Sequence, residues 1–272
     1  EAVRRILRVK FQLGLFENPM PDPATLRHVG APQFAAVSRQ AAEEAVTLLK
    51  NEGGVLPLAR TARVLVTGPG AASKWAMYGS WSYTWQGADT AMYPASVRTF
   101  VDAMRAAGGA GRVTYVPGVG MEEDAVLRDA DLQAAVAAAR EADVIVVALA
   151  ERPSAEKPGD IADLTMPAAQ LRLARAMQAT GKPVVVTLFH NRPRIVREAV
   201  DSARAVVTAY QTGPYGGDAL AAVLYGDVNP SGKLPFTWPR STGAAGILYD
   251  RTASDEVSPT GPQGGYDPQW AF

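Results

Sequence analysis

The sequence contains no cysteine, which excludes disulfides, thiolate metal sites and a cysteine nucleophile. It has two histidines, His28 and His190, too few for a histidine-rich metal centre. No Gly-x-Ser-x-Gly elbow accompanies them, so nothing supports a Ser-His-Asp relay. An excess of either charge is also missing: 27 Lys and Arg balance 27 Asp and Glu, for a net charge of zero. That balance leaves no electrostatic footprint for nucleic acid or an anionic membrane. No apolar run is long enough to cross a bilayer, and no secretory leader is visible. Internal repeats, low-complexity blocks and the Walker lysine motif are absent as well. Gly68-Pro69-Gly70 resembles the start of a dinucleotide fingerprint, but Ser73 stands where the third glycine belongs. The segment from Trp75 to Gly87 does not read as a phosphate-capping helix.

What is present is an alternation of strand and helix patterns, in a chain long enough for one large or two modest domains. Apolar runs over Val64–Thr67, Val113–Val116, Val144–Leu149, Val184–Phe189 and Ala205–Tyr210 predict strands. Helical periodicity predicts helices over Ser96–Ala107, Leu132–Ala142, Pro167–Ala179, Arg194–Ser202 and Gly217–Leu224. Strands that are apolar throughout and separated by helices predict an α/β fold, a mostly parallel sheet sandwiched between helices. Upstream, one helix is expected over Gln33–Lys50, with Phe34, Val37, Ala41, Ala45, Leu48 and Leu49 on one face. Before it, a short helix around Val3, Ile6 and Leu7 leads into a linker broken by Pro19, Pro21 and Pro23. Both ends of the chain fall inside apolar patterns, so a piece of a longer protein is expected. The expected divisions are 1–30 as the end of a preceding domain with its linker, 31–245 as the α/β sandwich, and 246–272 as a truncated C-terminal extension.

Two loops carry the chemistry. Glu151, Glu156, Asp160 and Asp163 crowd the Pro- and Gly-containing loop that follows the strand ending at Leu149. The carboxyl ends of strands are where open α/β sheets bind ligands. A carboxyl group there can act as a general acid on a glycosidic bond if a second carboxylate faces it. Glu151, at the strand end, is placed for burial and a structural ion pair; Glu156, at mid-loop, can project into a cleft. Position alone does not choose between them. The second loop holds Trp75, Tyr78, Trp81, Tyr83 and Trp85. Tryptophan faces suit the apolar face of a pyranose, and the indole N–H can bond a hydroxyl. Trp75 and Trp81 are expected to pack against the sheet, and Trp85 to contact sugar. Arg192 is expected to pin neighbouring loops through hydrogen bonds, and the turn-rich Asn229–Pro235 segment to be a structural connector.

These segments, in this order, resemble glycoside hydrolase family 3, the retaining β-glucosidases and exo-β-glucan glucohydrolases. The resemblance runs through Arg5–Lys10 with Gly14-Leu15-Phe16, Leu48–Glu52 with Leu56-Pro57-Leu58, and Gly79–Trp85. It continues through Ala150–Asp160 with Met166-Pro167, Gly181-Lys182-Pro183, Arg192-Pro193 and Gly226–Pro235. It implies the family's C-terminal α/β sandwich, preceded by the last helix of a missing (β/α)8 barrel. It implies Glu156 as the general acid/base, and a substrate-binding role for Trp85 on the leaving-group side with Trp81 behind it. The family nucleophile is an aspartate on the barrel in a Ser-Asp-Trp-like context, which has no counterpart here. The implied partners are a β-glucoside or β-gluco-oligosaccharide substrate and the N-terminal barrel of the same parent chain, with no nucleic acid or membrane. No cofactor or metal is implied, since two carboxyls suffice for the chemistry. A periplasmic or secreted location follows from the resemblance alone. The isolated chain is expected to be inactive. A β-xylosidase or other family 3 β-glycosidase, or a non-catalytic carbohydrate-binding or assembly domain, are the alternatives. The family more often carries Asn-Gly-Arg-Pro where this chain has His190-Asn191-Arg192-Pro193, so Asn191 is expected to take a glycine's left-handed conformation.

Overall fold

The structure, a computed structural model, describes residues 1–122 and 125–245. The chain divides into two compact units, Glu1–Ser38 and a second from Arg39 onward. The expected extension over 246–272 lies outside the described residues. In the first unit, α1 (Ala2–Gln12) buries none of its residues, and the Phe11 and Phe16 rings meet at a tilt of 40° with centroids 4.5 Å apart. A short 3-10 turn (Pro23–His28) is capped by the Asp22 carboxylate, which accepts from Ala24 N–H. Helix α2 (Pro32–Ala45) spans the division between the units.

The second unit is a six-stranded sheet with the strand order β1-β6-β5-β4-β2-β3. Its strands are β1 (Thr47–Asn51), β2 (Val64–Thr67), β3 (Val113–Val116), β4 (Val144–Ala150), β5 (Val184–Phe189) and β6 (Ala205–Thr208). All neighbours are parallel except β1, which runs antiparallel to β6 at one edge. β1 corrects the expected helix over Gln33–Lys50. The helix stops at Ala45, and Thr47 to Asn51 pair with Thr208 to Ala205 instead. β-branched Val46 and Thr47 sit at the break, and the backbone groups of Leu48 and Lys50 find partners in the sheet edge.

The period of two along each strand divides the core into two layers. Val64, Val66, Val146, Ala148, Val185, Phe189 and Val207 face α4 (Phe100–Gly108) and α8 (Gly216–Tyr225). Leu65, Ile145, Val147, Leu149, Val186, Leu188 and Val206 face α5 (Asp129–Glu141), α6 (Ala168–Gln178) and the short α7 (Arg197–Val200). Full burial of each Val or Leu contributes about 1.5–3 kcal/mol, which is why strands apolar on both faces persist only between helices.

The topology fixes where a site can form. From β2 the chain goes by α4 on one face to β3, then by α5 on the other face to β4 on the opposite side of β2. β2 and β4 are therefore adjacent strands whose following loops leave toward opposite faces. A crevice opens at the carboxyl ends of such a pair. The loop after β2 holds the tryptophans, and the loop after β4 holds Glu156.

Candidate active site

β4 delivers the acidic loop onto a fixed base. Gln170 on α6, fully buried, accepts from Ala150 N–H (3.0 Å) and donates to Ala150 C=O (2.8 Å), fixing the last residue of the strand. Glu151 follows at 2% exposure. Its Oε1 accepts from Arg192 Nε (2.7 Å) and Arg194 Nη1 (3.0 Å), and its Oε2 from Asn191 N–H (3.3 Å). Arg194, 1% exposed, also donates to the carbonyls of Leu164 and Thr165. A carboxylate enclosed by two guanidiniums has no open face for a substrate. Glu151 is the structural ion pair that its position suggested.

The rest of the loop is braced from that base. Arg192 donates through Nη2 to Ser154 Oγ (3.0 Å) and through Nη1 to Gly159 C=O (2.6 Å), one contact on each side of Glu156. It thus pins loops, as expected. Asn191 donates its side-chain amide to Ser154 C=O (2.9 Å). Gly159 N–H donates to Glu156 C=O (2.8 Å), closing a tight turn. Glu156 itself is exposed, at φ 58° and ψ −152°. That region is nearly confined to glycine and persists only where surrounding contacts over-determine it. Asn191, in contrast, is not among the described non-glycine residues with positive φ, which are Trp81, Tyr83, Glu156 and Tyr210. The left-handed conformation expected of it is therefore absent. Its amide reaches across to the acidic loop instead.

The aromatic loop begins where Gly68 and Gly70 leave β2. Their peptides are committed: Gly68 N–H donates to Pro117 C=O (3.0 Å) and Gly70 N–H to Ala148 C=O (2.9 Å). This Gly-Pro-Gly serves contact with β4 and leaves no free N–H cradle for phosphate at those two positions. The five-residue helix α3 (Lys74–Tyr78) follows, capped by Ser73. Half-buried Trp75 donates its indole N–H to Gln86 C=O (2.9 Å). Trp81 N–H donates to Trp85 C=O (2.9 Å), which closes the loop tip. Tyr78, Tyr83 and Tyr93 form one ring cluster beneath it, and the Tyr93 hydroxyl donates to Gly87 C=O. Burial, with Tyr83 and Tyr93 adding to it, pushes the Tyr78 hydroxyl well above the usual phenol range.

On this base Trp81 is 68% exposed, Tyr83 52% and Trp85 47%. Exposure corrects the expectation that Trp81 packs against the sheet: at φ 58° its ring is turned outward. Trp85 and Glu156 lie on adjacent loops joined by a residue that sequence reasoning missed. Gln86, next to Trp85, accepts from Ala155 N–H (2.9 Å) and donates to Ala155 C=O (3.1 Å), next to Glu156. Nothing in the local pattern marks it, because its partner is a backbone peptide 69 residues away. The arrangement ties the loop that carries the exposed Glu156 to the loop that carries exposed indole and phenol rings. Such rings can hold the apolar face of a pyranose while the carboxyl exchanges a proton with its oxygen. Among the described residues no group of three or more His, Asp or Glu could hold a metal ion.

Comparison with known proteins agrees with this architecture. The model of the glycosyl hydrolase family 3 C-terminal domain matches residues 46–267. A lysosomal β-glucosidase of Dictyostelium discoideum is 39% identical over 91% of this chain and 31% of its own length. A periplasmic β-glucosidase of Salmonella typhimurium is 32% identical over 92% of this chain and 35% of its own. The crystal structure of a β-glucosidase from Listeria innocua superposes with a TM-score of 0.82 at 31% identity, covering 96% of this chain and 34% of that one. The chain belongs to glycosyl hydrolase family 3, of which it carries the C-terminal domain. It spans about a third of the length of these relatives.

Proposed function

We propose that this chain is the acid/base-bearing domain of a retaining, exo-acting β-glucosidase, which removes terminal non-reducing β-D-glucosyl residues from β-glucosides or β-glucans. Glu156 is the proton donor and acceptor, and Trp85 and Trp81 are sugar-binding platforms. A barrel domain of the same parent supplies the nucleophilic aspartate. The single observation that carries the reading is Glu156 itself: an exposed carboxyl in a glycine-like backbone conformation, braced on both sides at a topological switch point. Strain of that kind, held by surrounding contacts, clusters at functional sites.

In this reading the Glu156 acid gives its proton to the glycosidic oxygen as the bond to the anomeric carbon breaks. The sugar passes to the nucleophile. Glu156, now a carboxylate, takes a proton from water as that water displaces the nucleophile and releases glucose, and the starting state returns. The retaining geometry requires two carboxyls about 5–5.5 Å apart, so the cleft is completed by the barrel domain. Residues 1–30 are the end of that barrel and its linker, and 31–245 are the sandwich. A periplasmic or secreted location is proposed by analogy with the Salmonella relative.

The test uses the full-length parent. Glu156→Ala is assayed on cellobiose and on an activated aryl β-glucoside, with and without azide. Expected are a large loss on cellobiose, a milder loss on the aryl glucoside, and rescue by azide with β-glucosyl azide as product. Unchanged cellobiose hydrolysis would move the role away from Glu156. Matched aryl glucosides and xylosides on the same protein decide between a β-glucosidase and a β-xylosidase. Glucan binding with a harmless Glu156→Gln would favour a non-catalytic binding domain. By itself the chain is expected to hydrolyse no glucoside.

A further inference from the structure

We propose that Gln86 is a positioning residue for the acid/base, acting through the Ala155 peptide. This rests on the reading of Glu156 given above. The Gln86 carboxamide meets both backbone groups of one residue, and so two successive peptide units, accepting from Ala155 N–H at 2.9 Å and donating to Ala155 C=O at 3.1 Å. Ala155 presents one donor and one acceptor, so the pairing fixes the orientation of the amide as well as its place. The carbonyl that Gln86 holds belongs to the peptide bond leading into Glu156. Rotation of that peptide would swing the Glu156 Cα–Cβ bond, and φ 58° is the angle at which it is held. Downstream, Gly159 N–H to Glu156 C=O and Arg192 to Gly159 hold the other side. Upstream, Arg192 and Asn191 hold Ser154. Between these anchors, Gln86 holds Ala155.

The other end of Gln86 is equally fixed. Its own carbonyl accepts the Trp75 indole N–H, and the Trp85 carbonyl before it accepts from Trp81 N–H. Gly87 after it is buried, with its carbonyl on the Tyr93 hydroxyl. Gln86 is therefore a rigid strut from the tryptophan loop to the carboxyl loop. It sets where the proton donor stands relative to the platform that holds the leaving group. An acid misplaced by about 1 Å can cost on the order of a hundredfold in rate, so a strut of this kind has kinetic consequences.

The experiment measures kcat/KM of the full-length parent on two substrates in one preparation: cellobiose, whose leaving group needs a proton, and 2,4-dinitrophenyl β-glucoside, whose leaving group does not. The ratio of the two is independent of how much protein has folded. Glu156→Ala must lower the cellobiose value more than the aryl value, or the acid/base reading itself fails. Given that, Gln86→Met, of similar length without the hydrogen bonds, is expected to lower the ratio on the order of tenfold to a hundredfold. Gln86→Glu, which keeps the acceptor but sets an oxygen against Ala155 C=O, is expected to lower it as well. In a Glu156→Ala background, Gln86→Met should leave the ratio unchanged, since no acid remains to be positioned. Equal losses on both substrates, or a further change of ratio in the Glu156→Ala background, would show that Gln86 acts only on the fold or on Trp85, and would overturn the proposal.

Discussion

Glu156 and Glu151 stand five residues apart and are opposites in every physical respect. Glu156 is exposed and conformationally strained; Glu151 is sealed and fully paired. A residue at φ 58°, ψ −152° costs about 1–3 kcal/mol unless it is glycine. Elsewhere Ala is more stable than Gly by about 0.4–1 kcal/mol, because it restricts the unfolded chain. At position 156 the order should invert, with Glu156→Gly more stable than Glu156→Ala by about 1 kcal/mol. Chemical denaturation of the two variants reads this directly, and an Ala variant at least as stable as the Gly variant would show that the conformation is unstrained. Glu151→Ala should behave differently from both. It leaves the buried Arg194 guanidinium without its carboxylate, at a cost of about 3–5 kcal/mol. The same denaturation series would expose a loss below 1 kcal/mol and refute the structural role. Position suggested the burial of Glu151 and the exposure of Glu156, because a residue at a strand end is buried and one at mid-loop is not, whereas a chemical role for Glu156 came only from the family resemblance. Gln86 was illegible for the complementary reason. A glutamine that bonds a distant peptide leaves no trace in spacing, charge or periodicity.

At the scale of elements, the buried parallel strands were legible and the exceptions were not. β2 and β5, buried along their whole length, have the bounds of their apolar runs, since nothing but a sheet covered on both faces suits Val184–Phe189; the edge strand β3 also has the bounds of its run, with Thr114 exposed. β1 was hidden because Leu48 and Leu49 continue a helical stripe, while Leu48 and, past a bulge at Leu49, Lys50 pair with β6, more than 150 residues away. Helix α7 starts three residues later than its pattern, because Arg194 is committed to Glu151 and Ile195 bridges to Thr165. The Gly-Pro-Gly after β2 misleads in the same way: it has the look of a phosphate loop and the function of a spacer. A Cβ at Gly68 would lie 2.5 Å from the Ala148 carbonyl oxygen, at φ +100°. Since backbone in β4 cannot step aside, Gly68→Ala is expected to destabilise by about 2–4 kcal/mol, more than a surface substitution by several-fold. A shift in the denaturation midpoint no larger than that of Gly243→Ala, where a Cβ meets nothing within 4 Å, would contradict the close packing of the two strands.

For the molecule as a whole, a net charge of zero conceals an acid-sensitive centre. His190 ends β5's connection at 2% exposure, with Nε2 2.7 Å from Thr208 Oγ1 and the rings of Tyr210, Phe236 and Trp238 around it. Burial pushes its pKa down from 6.5 to about 4, so the folded protein keeps it neutral. Between those values the unfolded chain binds a proton that the folded chain refuses. Stability from this group is therefore complete above pH 6.5 and falls as pH drops toward 4, by up to about 3 kcal/mol, then levels off. Asp143 acts in a lower window. The exposed Asp143, bonded by the Arg63 guanidinium and backbone N–H, is held at about 2, and its contribution is lost only as pH falls from 3.8 toward that value. The two windows separate the causes. His190→Asn, which removes the titrating ring and its packing, should be less stable than the parent chain at pH 7. Between pH 6.5 and 4 its stability should decline much less steeply, so the gap between the two proteins narrows on acidification. Denaturant midpoints measured across that range decide it. Parallel profiles would mean that His190 is protonated in the fold, and that its ring cage accommodates the imidazolium.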